Sequence, residues 1–348
     1  MKNHVIAISA GDPAGIGPEI CLKSFLSDKV SGRGTAVVVA DYAVLEAVRD
    51  TLQIPVTLQR VASAQEAQKA QGAQGAQGER ATVPVLDAGV ITDVSQLKAG
   101  EISGLAGKAA AQYIRKAVEL CMKGEAVGLA TGPINKEALR EGKLDYIGHT
   151  EMISEMSNGK KGITMFLVDR MRIFFHSRHL SLGKAIDAID RESVLESLIL
   201  ADRCLKSVEF ESATLALAAL NPHASDGGLF GDEEEKYLIP ACKDARARGL
   251  NVVGPVPADS VFAQALEGKY DGVLSLYHDQ GHIASKTYDF YRTVSVTFGY
   301  PFLRTSVDHG TALDIAWKGI ADSVSMEEAV SACFTLAPKY HPIYPEEK

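Results

Sequence analysis

Three groups of side chains in this sequence could do chemistry. The first is a set of histidines. Of the nine in the chain, His149, His179, His223 and His278 stand in Gly148-His149-Thr150-Glu151, Ser177-Arg178-His179-Leu180, Asn221-Pro222-His223-Ala224 and Tyr277-His278-Asp279-Gln280. Each falls where an expected strand or hairpin gives way to a loop. Neutral imidazoles from three such loops can hold a divalent metal and leave a position open for substrate. A single histidine more often has a surface or hydrogen-bonding role, so the weight rests on several sharing one context. The second group is Lys286 and Arg304. A guanidinium's planar fork matches a phosphate or carboxylate, and Lys286 adds a second cation; two solvated surface charges are the competing reading. Thr305, Ser306, Asp308, His309, Gly310 and Thr311 follow, a loop suited to a hydroxyl-rich ligand. The third group is the turn Gly11-Asp12-Pro13-Ala14-Gly15-Ile16-Gly17-Pro18-Glu19. Its spacing is not that of a Rossmann dinucleotide turn. Pro18 suits a first helical turn, and the N–H groups there can face an anion. Alone, the segment reads as a tight strand-to-helix turn.

The elements that must position these groups alternate short apolar runs with longer amphipathic stretches, the pattern of an α/β protein with mostly parallel strands. Strands are expected at Val5–Ala10, Thr35–Ala40, Val127–Thr131, Thr214–Leu220, Gly272–Tyr277 and Thr293–Phe298, and helices at Lys108–Lys123, Arg191–Leu205 and Glu233–Arg248. Met165–His176 reads as a hairpin turning at Asp169-Arg170, which makes the sheet mixed. Asp232 to Glu235 reads as an acidic helix start. Ala62–Arg80, rich in Ala, Gln and Gly, lacks large apolar residues and is expected to be a mobile surface insertion.

Composition narrows the function classes. With 348 residues, 46% hydrophobic and 23% charged, the chain can bury one large or two ordinary cores. A net charge of -8 without a basic stripe disfavours nucleic acid and anionic membranes. The five cysteines, Cys21, Cys121, Cys204, Cys242 and Cys333, are scattered and unpaired in spacing, which fits a reducing cytoplasm better than a disulfide framework. No signal-length or membrane-length apolar run occurs, so a cytoplasmic location is expected. G-x-S-x-G, P-loop and HExxH signatures are absent.

The segments GDPAGIGPE, TGPINKEAL, GHTE, the His179 loop, LNPHASDGGLFGDEE, YHDQGH and PFLRTSVDHGTALDIAWKG, from residue 11 to about 319, together resemble the 4-hydroxythreonine-4-phosphate dehydrogenase family of pyridoxal phosphate biosynthesis, the PdxA-like proteins. GDPAGIGPE and HGTALDIA are also similar to motifs of isopropylmalate and isocitrate dehydrogenases. The resemblance implies an isocitrate-dehydrogenase-like fold: two α/β domains with a mixed sheet, the active site in the cleft between them, and a cofactor site that is not Rossmann. It places 1–134 with 300–348 in the first domain, on the cofactor side, and 135–299 in the second, with the metal site and dimer interface.

The same resemblance makes His179, His223 and His278 ligands of a divalent metal (zinc, or magnesium, cobalt or manganese), one of the three coming from the partner subunit of a homodimer. It makes His149, Thr150, Lys286, Ser295 and Arg304 substrate contacts, and puts NAD or NADP on the loop of Gly310, Thr311, Ala312 and Asp314. The implied reaction is oxidation, then decarboxylation, of a phosphorylated 3-hydroxy acid such as 4-phosphohydroxy-L-threonine, giving 3-amino-2-oxopropyl phosphate and CO2. Proximity to His278 makes Asp279 a candidate base. Three positions depart from the biosynthetic pattern: Ser295 replaces the usual Asn, Ser177-Arg178-His179-Leu180-Ser181-Leu182 replaces Thr-Thr-His-Leu-Pro-Leu, and Asn135 replaces a His. These bear on substrate, and leave open a threonate or erythronate 4-phosphate, or an aromatic cis-dihydrodiol. A metal-dependent hydrolase without nicotinamide is the alternative of another class; the Gly310–Asp314 loop opposes it.

Overall fold

The computed structural model describes residues 4–72, 80–160 and 162–344. Twelve strands occur among them. The first six are β1 (Val5–Ser9), β2 (Thr35–Ala40), β3 (Val56–Arg60), β4 (Ala81–Asp87), β5 (Gly128–Thr131) and β6 (Ile163–Val168). The others are β7 (Met171–Phe175), β8 (Leu215–Ala218), β9 (Val252–Val256), β10 (Gly272–Ser275), β11 (Val294–Phe298) and β12 (Leu303–Val307). The chain divides into two compact units, Met1–Gly162 with Thr297–Lys348, and Ile163–Val296. Residues 135–162 thus fall in the first unit, because the helices Lys136–Glu141 and His149–Met156 pack on the helix Gly104–Met122.

In the first unit the strand order is β3-β4-β2-β1-β5-β12, every pair parallel. All residues of β1, β2, β5 and β12 are buried. A parallel sheet covered on both faces needs such strands, which is why β1 and β2 read as unbroken apolar runs. On one face Tyr113, from Gly104–Met122, donates its hydroxyl to Asp41 Oδ2 at 2.7 Å. Thr305 Oγ1 donates to the Ala329 carbonyl of the helix Val324–Leu336 at 2.7 Å. Gly107 lets Lys136–Glu141 approach closely, since a Cβ there would lie 2.0 Å from the Ala138 oxygen.

The second unit has the order β6-β7-β10-β8-β9. β6 and β7 form the expected antiparallel hairpin, with Asp169 left-handed at φ 52. The rest are parallel, and Phe166, Ile173, Val261, Tyr270 and Val273 are among the residues of one core cluster there.

Some expectations are corrected. Strands β3, β4, β9 and β12 were not anticipated: β4 and β9 contain Pro84 and Pro255, a signal against strand interiors, and β12 (LRTSV) is largely polar. Arg304 therefore lies inside a strand together with Thr305 and Ser306, which were expected to begin a loop. Part of the low-complexity stretch is ordered as the helix Ala64–Gly72, where Ala64, Ala67 and Ala70 form a buried stripe at helical spacing. Gln71 Oε1 there accepts the Ala36 N–H at 2.9 Å. The remainder of that insertion, 73–79, lies outside the described residues.

Candidate active site

Ligands of parallel sheets gather beyond the carboxyl ends of the strands. In the first unit, register sets Ser9 beside Thr131 and Ser306 beside Thr131, so three buried hydroxyls form a row across β1, β5 and β12. Arg304, two residues before Ser306, shares their face. Its guanidinium is buried; Nε and Nη2 donate to Thr131 Oγ1 at 3.1 and 2.9 Å, and Nη1 to Thr297 Oγ1 at 3.4 Å. Burial pushes its pKa down to about 10, which still leaves it charged at neutral pH. Among the described residues no carboxylate pairs with it. A buried cation met only by hydroxyls is costly, and an incoming anion removes that cost.

His149 stands beside this arginine. It opens the helix His149–Met156 and follows no strand, contrary to the expectation from sequence. Part of the residue reaches solvent, but Nε2 is sealed and unpartnered. Burial first, and then the Arg304 charge, hold its pKa well below the usual value, against a hydrogen bond to the Gly132 backbone. That bond occupies Nδ1 as donor, so the neutral ring presents Nε2 as an acceptor. Thr150 is exposed, and its carbonyl accepts the Tyr300 hydroxyl at 3.1 Å. Ser9 Oγ is also buried without a partner.

Three N–H groups of the glycine-rich turn, just ahead of the helix Gly17–Ser24, are already engaged. Ala14 N donates to Asp12 Oδ1 at 2.8 Å, Gly15 N to the Asp12 carbonyl at 3.1 Å, and Ile16 N to the Thr311 carbonyl at 3.0 Å. The turn is seated on the loop that holds Thr311. There Thr311 is buried, Ala312 is left-handed at φ 42, Asp314 is exposed, and a Cβ on Gly310 would meet open space. Asn135, in place of the family's His, caps the helix Lys136–Glu141, accepting from Glu137 N and Ala138 N at 2.8 and 3.0 Å.

In the second unit His179, His223 and His278 follow β7, β8 and β10, which run parallel in the order β7-β10-β8. Their three loops therefore leave one edge of that sheet. The rings of His179 and His278 lie 6.4 Å apart, whereas His223 meets Phe230 at 6.0 Å. Among the described residues no three His, Cys, Asp or Glu side chains of one chain stand close enough to hold an ion. His278 Nδ1 is 2.6 Å from Asp279 Oδ1, an orienting contact for the carboxylate proposed as a base. The His223 loop is left-handed from His223 to Asp226, and Glu234 anchors it. Glu234 Oε1 accepts the Leu220 and Asn221 N–H groups at 2.9 and 2.8 Å, and its Oε2 accepts from Asn221 Nδ2 at 2.8 Å. The acidic run opens a helix, as expected, and within it Glu234 is a buried brace while Asp232 and Glu235 stay exposed. Lys286 Nζ lies 4.8 Å from the Phe290 ring centre, and Ser295 is half-buried on β11. A cavity of about 1000 Å³ has His179, His278, Leu180, Phe262 and Ile283 in its walls.

The family model of the pyridoxal phosphate biosynthetic protein PdxA matches residues 33–333. The chain belongs to the PdxA family. Among PdxA-type relatives, a Fusobacterium nucleatum protein named D-threonate 4-phosphate dehydrogenase is 48% identical over 337 residues, covering 96% of this chain and 98% of that one. A Clostridium botulinum protein of the same name is 46% identical over 336 residues, covering 97% and 98%. The crystal structure of 4-hydroxythreonine-4-phosphate dehydrogenase from Klebsiella pneumoniae superposes with a TM-score of 0.85 at 37% identity, covering 97% of this chain and 98% of that one. As a PdxA-family member the chain is an oxidoreductase of the dehydrogenase type, with the expected mixed α/β fold.

The residues of this PdxA-family chain fit the groups such an enzyme uses. The Asp279 contact leaves Nε2 as the nitrogen His278 offers, and an imidazole braced by a carboxylate suits zinc or another divalent ion. The open Gly310 and exposed Asp314 leave room and a hydroxyl acceptor for a nucleotide. Sequence reasoning missed Ser9, Thr131 and Glu234, whose roles depend on cross-strand register or on burial.

Proposed function

We propose that this chain oxidises a C4 hydroxy acid 4-phosphate with NAD or NADP, with D-threonate 4-phosphate as the preferred substrate, and that the resulting 3-keto acid loses CO2. The buried, carboxylate-free guanidinium of Arg304 carries the reading, because it is a site prepared for an anion. Bound nicotinamide supplies the hydride acceptor, and a divalent cation on His179, His223 and His278 supplies Lewis acidity toward the substrate oxygens. Arg304, with Lys286, takes the phosphate and carboxylate ends. His149 Nε2, an acceptor, suits a substrate hydroxyl better than a phosphate oxygen, so it orients the carbinol. Thr150 is a further substrate contact, and the loop of Gly310, Thr311, Ala312 and Asp314 holds the nucleotide. Asp279 keeps His278 in one tautomer. Ser295, shorter than the biosynthetic Asn, lacks the reach to engage a substrate amine, and the relatives' names agree.

The metal is proposed to be shared across a homodimer. Exposed Leu180, Leu182, Ile283, Tyr288, Phe290 and Tyr291 make the second unit's surface apolar enough for a subunit interface. The test compares kcat/KM for D-threonate 4-phosphate and 4-phosphohydroxy-L-threonine, with each nicotinamide, with and without added metal. Threonate should win in the wild type and lose ground in Ser295→Asn. A wild type that prefers the amino acid overturns the substrate assignment.

A further inference from the structure

YHDQGH holds a second histidine, His282, one helical turn after His278 on the helix His278–Tyr288. The two imidazoles are stacked, with centres 3.8 Å apart and planes 9° apart. His282 Nδ1 donates to the His278 carbonyl at 3.0 Å. Its ring also lies against Phe166 and Phe175, at 4.3 and 4.7 Å between centres, so it is gripped by the core of the second unit. The turn beneath is fixed as well: Gln280 Oε1 accepts the Leu276 N–H at 2.7 Å and its Nε2 donates to the Ala219 carbonyl at 2.8 Å.

Two histidines at this spacing invite a reading as paired ligands, and the geometry excludes it. An imidazole binds a metal in its ring plane. Parallel planes separated by roughly a stacking distance share no such point, so an ion in the plane of His278 lies far out of the plane of His282. What His282 can do is hold the face of the His278 ring, while Asp279 holds its edge through Nδ1. Together they fix both the rotation and the tautomer of that ring.

We propose that His282 is a positioning residue for His278, acting through ring stacking rather than through its nitrogens, and setting the affinity of the divalent site. The proposal rests on the reading of His278 as a metal ligand. The test titrates the metal-free dimeric protein with cobalt(II) alone, following the visible d–d absorption and the dissociation constant. The variants are His282→Ala, His282→Phe and His278→Ala. Removing a group that orients a ligand typically weakens a site about 10-fold or more. His282→Ala should therefore bind cobalt about tenfold more weakly, and His282→Phe, which keeps a flat ring, should stay within about twofold of wild type. The melting temperature of each metal-free variant reports folding separately. If His278→Ala loses the cobalt spectrum while His282→Ala binds like wild type, stacking is irrelevant and the proposal falls. If His282→Phe loses cobalt as completely as His278→Ala, the nitrogen matters and the positioning role is wrong. If His278→Ala binds like wild type, the metal assignment itself fails, and His282 has nothing to position.

Discussion

A charge shut away from water without a counter-charge lowers stability unless something compensates it, and Arg304 is such a charge. Replacing it by a similarly long apolar side chain separates function from folding. Arg304→Met should melt at or above the wild-type temperature, yet raise KM for a phosphorylated substrate by a factor corresponding to roughly 1.5–3 kcal/mol, the worth of a charge-assisted hydrogen bond. An unchanged KM would remove the arginine from the substrate site. Asp12 is a second buried ionisable group. Burial raises its pKa from 3.8 to about 6, opposed by the Ala14 N–H. Between those values the folded chain holds the proton more tightly than the unfolded one, so stability falls as pH climbs through the window and the full penalty is present above it. Asp12→Asn keeps an acceptor for Ala14 and removes the charge. It should be more stable than wild type at pH 8, by up to about 3 kcal/mol, with the difference vanishing toward pH 4. His149, with its lowered pKa, costs stability as pH drops below the usual histidine value, but equally in both proteins. Equal melting temperatures at pH 8 would show that Asp12 bears no such cost.

At the scale of elements, the glycine-rich turn and the Thr311 loop act as one unit. A Cβ on Gly15 would lie 2.8 Å from the Thr311 carbonyl oxygen and 2.9 Å from its Cβ, both too close. Gly15→Ala should push the loop outward and raise KM for the nicotinamide at least severalfold, with a smaller change for the hydroxy acid. Initial-rate kinetics varying each substrate would decide, and an unaltered cofactor KM would detach this loop from the nucleotide. The same elements show what a sequence can reveal. β1, β2 and the hairpin at Asp169-Arg170 were legible because burial on both faces, or a turn between two β-rich runs, writes itself into local composition. The loops of His179, His223 and His278 were legible because each follows a strand, whereas His149, which opens a helix, was placed wrongly. β12 was not legible, since Arg304, Thr305 and Ser306 make it read as a polar loop; its hydroxyls serve the helix packed on it and the neighbouring strand. The Ser9–Thr131–Ser306 row and the Glu234 brace were hidden for a related reason. The row joins distant segments, and no local pattern encodes which strand lies beside which; the brace joins nearby residues, but nothing local shows that Glu234 is the buried member of its acidic run.

At the scale of the molecule, a metal site shared between subunits predicts complementation. Chains carrying His278→Ala and chains carrying His223→Ala should each be inactive, and mixed dimers should regain part of the activity, because some of them rebuild one intact ligand set. No recovery in dimers shown to be mixed would mean that each chain supplies all its own ligands. The order of the units along the chain has a different consequence, one for synthesis. Ile163–Val296 is a single uninterrupted stretch, whereas the first unit is split around it and needs Thr297–Lys348 for completion. Those last residues bring β12, which pairs with β5, and the helix Val324–Leu336, which packs on both. On the ribosome the inserted unit can therefore condense while the surrounding one waits with an open sheet edge. Ribosome-bound chains arrested just after Val296 has cleared the exit tunnel should resist protease across 163–296 and be cut within 4–160. Full-length chains should be protected in both. Protection of 4–160 in the arrested chains would contradict this order. Arg304 is itself in the segment made after the inserted unit, so the nascent enzyme gains its histidine loops before its grip on an anion.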